Sequence, residues 1–83
     1  MAITYRNPNQ VQIFFITVAQ KLGYSPKRCI VFEDSVPGVT AGKDAGMYVV
    51  GIGDQKYLEQ ADLVFAHLNQ FRAHEVANWF SII

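Results

Sequence analysis

The chain has 83 residues, 51% of them hydrophobic and 17% charged, and its seven basic and seven acidic side chains cancel to a formal net charge of zero. That length holds one small domain, and the balance of charge leaves neither the basic excess that marks a nucleic-acid binder nor a charged tail. No apolar run approaches the ~20 residues of a membrane-spanning helix. Cys29 is the only cysteine, which excludes an internal disulfide, and no basic segment followed by an apolar stretch opens the chain as a secretory signal would. The expected location is therefore the cytoplasm. So apolar a composition in so short a chain implies either a dense interior or apolar surface meant for a partner.

Residues 1–8 read as an irregular leader. A helix is predicted over 9–22, where Val11, Phe14, Phe15, Val18 and Leu22 recur at helical spacing and form one apolar stripe. Ile13 and Ile16 fall off that stripe, which predicts burial on more than one side. Gly23 is placed as the C-cap, with Pro26 as a stop just beyond. Cys29-Ile30-Val31-Phe32 is a continuous apolar run, as expected of a parallel strand buried on both faces, and Cys29 reads as a small buried hydrophobe within it.

Ser35 is a good N-cap for the next helix, and Pro37 is tolerated in its first turn. Gly38, Val39, Ala41, Gly42 and Ala45 give that helix a small-residue surface suited to close packing on a sheet, and Gly46 ends it. Residues 47–52 are a second predicted strand. Gly53-Asp54 is a turn, followed by a helical turn around Tyr57 and Leu58. Residues 63–66 are a third strand, and residues 71–83 hold a last helix, capped by Asn69, with Phe71, Val76, Trp79 and Phe80 on its apolar side. Strands alternating with helices predict an α/β fold: a partial Rossmann-like, three-layer core on a short parallel sheet of about three strands. The whole is one domain, 1–83.

Chemistry concentrates where the first strand ends. Glu33 and Asp34 are adjacent carboxylates at the carboxyl edge of the sheet, where open α/β folds bind ligands. Such a pair can hold a hard cation such as Mg2+, which takes oxygen ligands and keeps several waters. Ser35 beside them opens a helix whose N-terminal amides favour an anion. A cap and a solvated turn would use the same residues.

The stretch from Cys29 to Met47 resembles the fourth signature motif of haloacid-dehalogenase-type (HAD) hydrolases. The pattern is an apolar strand, Glu33-Asp34-Ser35, two residues, Gly38, then a helix closing on Ala45-Gly46-Met47. The similarity is to the β-phosphoglucomutase-like and sugar-phosphatase branch. It continues through Val50-Gly51-Ile52-Gly53-Asp54 and Tyr57-Leu58 to Ala61-Asp62-Leu63-Val64, reaches back through Lys21-Leu22-Gly23, and covers residues 9–70 in all. It implies the C-terminal part of a HAD core. Asp34 would be an Mg2+ ligand, Glu33 its supporting neighbour, and Ser35 and Gly38 the residues shaping the turn. The implied chemistry is phosphoryl transfer through a phosphoaspartate, with Mg2+ offsetting charge.

The sequence also departs from that family. Its acids are Glu33, Asp34, Asp44, Asp54, Glu59, Asp62 and Glu75, so no Asp-x-Asp nucleophile motif occurs in these 83 residues. The second motif's Ser or Thr has no counterpart. The position of the family's third-motif lysine falls on Asn9, leaving Arg6 as the nearest cation for a phosphate. Without these groups most transition-state stabilisation is gone, and Mg2+ is expected to bind weakly.

In the family the first strand pairs with the nucleophile strand. Here Cys29, Ile30, Val31 and Phe32 would present an open apolar edge, which invites pairing with another chain, most simply a second copy in a homodimer. Three readings follow: a non-catalytic, self-associating HAD-derived module; a C-terminal fragment or subunit of an Mg2+-dependent HAD phosphatase or phosphomutase, completed by an N-terminal half; or an unrelated small α/β binding domain. His67 and His74 share a helical spacing of seven but read as surface residues, Trp79 and Phe80 as a helix docked on its own sheet, and Asp54 as a turn residue.

Overall fold

A computed structural model of the chain describes residues 8–70 and 72–81. The first helix, α1 (Pro8–Leu22), is followed by a 3-10 turn at Pro26–Arg28 and by strand β1 (Ile30–Glu33). Helix α2 (Val36–Asp44), strands β2 (Tyr48–Ile52) and β3 (Leu63–Phe65), a second 3-10 turn at Leu68–Gln70 and helix α3 (Ala73–Trp79) complete the order. The three strands form one parallel sheet in the order β1-β2-β3. The α/β, three-layer expectation is met.

The register explains the layers. Val49 of β2 packs with Val39 of α2, so it faces α2. Its neighbours Tyr48 and Val50 must face the other way. There Tyr48 stacks on Phe80 at a centroid distance of 4.3 Å, and Phe65 stacks on Trp79 at 6.0 Å. Helices α1 and α2 therefore cover one face and α3 the other. Val49, Val50 and Val76 are fully buried between them. Gly42 lets α2 approach the sheet, because a Cβ there would meet Val49 Cγ2 at 2.5 Å.

Helix α1 differs from its prediction. Its buried positions are Val11 and Ala19, with Phe15 and Ile16 packed at their side, whereas Phe14, Val18 and Leu22 are 41%, 38% and 66% exposed. The predicted stripe is thus only half covered, and Ile13, expected on a second buried side, is exposed. The buried line runs 11–15–19 because α1 lies on α2 rather than directly on the sheet.

Smaller corrections follow from hydrogen bonds. The first strand begins at Ile30, one residue later than expected, because the Cys29 amide donates to Pro26 O and closes the 3-10 turn; the Cys29 carbonyl still accepts from Tyr48 N. The expected helical turn around Tyr57 and Leu58 is present as a single turn, the Asp54 carbonyl accepting from both amides. Asn69 lies in the second 3-10 turn and does not cap α3, whose N-cap is Arg72. Phe71, expected on the apolar side of the last helix, lies outside the described residues. Gly23 and Gly46, with φ of +77° and +80°, end α1 and α2 as left-handed glycines.

Candidate functional site: the acidic corner of the sheet

The corner is built where β1 hands the chain to α2. Glu33 is the last residue of β1, pairs in register with Gly51, and is 6% exposed. Alternation puts it on the α2 face with Val31. Its carboxylate lies against Gly38 in the first turn of α2, occupying the space a Cβ at position 38 would need. The sequence places Glu33 beyond the strand; the structure makes it a buried, packed residue. Asp34, next along the chain, is exposed.

Ser35 is the N-cap of α2, with extended backbone (φ −118°, ψ 150°), and its Oγ accepts from the Gly38 amide at 3.1 Å. This satisfies one of the helix's orphan donors and leaves the hydroxyl proton to donate elsewhere. Arg6, the predicted phosphate cation, lies outside the described residues.

Asp54 serves the turn after β2: its Oδ1 accepts from Lys56 N at 2.9 Å and its carbonyl from Tyr57 and Leu58. Among the described residues no three His, Cys, Asp or Glu side chains group closely enough to hold a metal. His67 and His74 are both exposed. The accessible donor at the corner is thus the Asp34 carboxylate, with Glu33 packed against α2 behind it. A single carboxylate fits Mg2+ as one ligand among several, with water and phosphate oxygens filling the rest; it does not fit a closed, all-protein cage. A small cleft of about 140 Å3 adjoins the first turn of α2, between Val36, Val39, Tyr57, Glu59 and Gln60.

One structural role escaped sequence reasoning. Asp62 Oδ2 accepts from Val49 N at 2.7 Å, while Asp62 N donates to Val49 O at 2.8 Å, so a carboxylate extends the β2–β3 ladder. Lys43 Nζ bridges both Asp62 oxygens at 2.9 Å and reaches the Met47 carbonyl. The 19 residues between Lys43 and Asp62 hide this pair from any local pattern.

A three-stranded parallel sheet ending in a carboxylate pair, before a serine-capped helix, defines a Rossmann-like α/β core with an acidic corner. The chain is a HAD-like partial domain, matching the C-terminal portions of HAD phosphatases and phosphomutases. It is 44% identical over 50 residues to the β-phosphoglucomutase of Bacillus subtilis, covering 60% of this chain and 22% of that protein. It is 35% identical over 72 residues to hexitol phosphatase A of Escherichia coli, covering 83% of this chain and 33% of the relative. The crystal structure of a β-phosphoglucomutase from Clostridium difficile superimposes with a TM-score of 0.78 at 27% identity, over 98% of this chain and 34% of that one. The chain therefore spans a third or less of the length of the curated relatives named here. No protein-family model matches it. No helix among the described residues is long and apolar enough to cross a membrane.

Proposed function

We propose that these residues form the metal-bearing part of a HAD-type phosphoryl-transfer site and that, by themselves, they are non-catalytic. The observation that carries this reading is the corner itself: an exposed Asp34 at the carboxyl edge of a parallel sheet, beside a Glu33 buried against the helix that follows. In this reading Asp34 coordinates Mg2+, Glu33 holds the strand end and supports the shell, and Ser35 offers its hydroxyl to a phosphate oxygen. Bound Mg2+ would offset charge between a phosphate and an attacking carboxylate. The attacking carboxylate, supplied by Asp-x-Asp in the family, has no counterpart in these 83 residues, and Asn9 stands where the family has its lysine. Phosphate-ester hydrolysis or phosphoryl transfer then requires a nucleophile-bearing segment beside β1. The names of the relatives support a phosphate-ester substrate class.

The test is an assay of the purified 83-residue chain with p-nitrophenyl phosphate and Mg2+, beside Asp34→Asn. The expected result is no Mg2+-dependent turnover above that variant. Turnover that disappears with Asp34→Asn would overturn the non-catalytic reading.

A further inference from the structure

We infer that the loop at 54–62, strand β3 and helix α3 form one unit that releases from β2 together while α1, β1, α2 and the acidic corner stay folded. Among the described residues all the buried apolar side chains except Leu58 and Val76 precede Gly53. Strand β3 has three residues, none of them fully buried, and α3 has seven and starts without a side-chain cap. A region with so few buried apolar side chains opens at a lower free energy than the core it packs on.

The hinge and the ties of this unit are in place. The chain leaves β2 at Gly53, whose φ of +143° suits glycine. It is then tied back at two points on α2. Thr40 Oγ1 donates to Gln60 Oε1 at 3.2 Å, and Lys43 Nζ, one helical turn on, bridges the Asp62 carboxylate oxygens at 2.9 Å. Both ties lie at the surface, where water replaces them as the unit lifts away.

Release breaks hydrogen bonds on one side of β2 only. Successive backbone groups of a strand point to opposite neighbours. Tyr48 N donates to Cys29 O, toward β1, whereas Val49 N donates to Asp62 Oδ2 and Gly53 N to Phe65 O. Gly51 shares the alternation of Val49 and Gly53 and faces β3, while Val50 and Ile52 face β1 with Tyr48. The corner itself is held within β1 and α2, by Glu33 against Gly38 and by Ser35 Oγ accepting from the Gly38 amide, so it persists through release. This goes beyond the phosphoryl-transfer reading and does not depend on it.

Amide hydrogen exchange of the isotope-labelled 83-residue chain, repeated over a series of low urea concentrations, is the test. Protection should alternate along β2. Corrected for free-peptide rates, the amides of Val49, Gly51 and Gly53 should exchange at least about tenfold faster than those of Tyr48, Val50 and Ile52. The amides of Leu58 and Val76 should join the faster group, which shares one urea dependence smaller than that of the slower group because less surface is exposed. Val11→Ala removes buried methyl groups of α1. It should lower the protection of the slower group by about tenfold and leave the faster group unchanged, because it affects the closed and released forms alike. The wild-type alternation is a test by itself. Equal protection of the two sets along β2, or a single urea dependence for all amides, overturns the inference. So does a Val11→Ala chain in which both groups fall together, or a wild-type chain without protection.

Discussion

Gly38→Ala is expected to destabilise the chain, against the ordinary tendency of that substitution. At an open helix position, alanine for glycine stabilises by about 1 kcal/mol through propensity alone. Here a Cβ would overlap the Glu33 carboxylate, and its close neighbours are a buried side chain with little room to yield. Overpacking costs about 1–3 kcal/mol, and an overlap this close with a buried side chain belongs to the upper part of that range, about 2–3 kcal/mol, so the net loss should be about 1–2 kcal/mol after the propensity gain. For a domain of this size that lowers the melting temperature by roughly 4–8 °C per kcal/mol. Glu33→Ala removes the atoms in the way, so Gly38→Ala added to that background should become neutral or stabilising. The coupling between the two positions should be about 2 kcal/mol in urea unfolding followed by circular dichroism. A Gly38→Ala chain as stable as wild type, or a loss that persists unchanged in the Glu33→Ala background, would refute the packing of Glu33 into α2 described above.

Asp62→Ala should cost about 2–3 kcal/mol, because it strands the buried Val49 amide and the Lys43 ammonium together, while Asp62→Asn keeps an acceptor oxygen for the amide and should cost about 1 kcal/mol or less. Comparable losses for the two variants in urea unfolding would count against the ladder role. Ser35→Ala removes the acceptor for the Gly38 amide and should cost about 0.5–2 kcal/mol by the same measurement. Gly46→Ala places a side chain at φ +80° and should cost about 1 kcal/mol, whereas Gly46→Asn should cost less.

The order of elements was legible because each signal was local. The glycines at 23 and 46, Ser35 before Val36-Pro37, and the apolar runs at 30–32 and 47–50 act within a few residues of themselves. The position of Glu33 was not legible. An acid after an apolar run reads as solvated, yet the strand carries one residue further, and pairing with Gly51 turns Glu33 toward α2. The covered side of α1 was equally hidden. Its stripe satisfies helical spacing over Val11, Phe14, Phe15, Val18 and Leu22, and only the packing of α1 on α2 decides that 14, 18 and 22 remain exposed beside β1. Asp62 shows the same limit: its partners, Lys43 and Val49, are long-range. At the acidic corner the residues Glu33, Asp34, Ser35 and Gly38 were all identified from sequence, but their division into a packed acid, an exposed acid, a cap and a clearance glycine needed the fold.

The most direct test of the proposed Mg2+ ligand role of Asp34 is a titration of the isotope-labelled chain with Mg2+, followed by amide chemical shifts. The account predicts weak, saturable shifts centred on Glu33, Asp34 and Ser35 and on the facing turn after β2, all abolished by Asp34→Asn. Shifts confined to other acids such as Asp44 or Glu75, or shifts at the corner that survive Asp34→Asn, would contradict it.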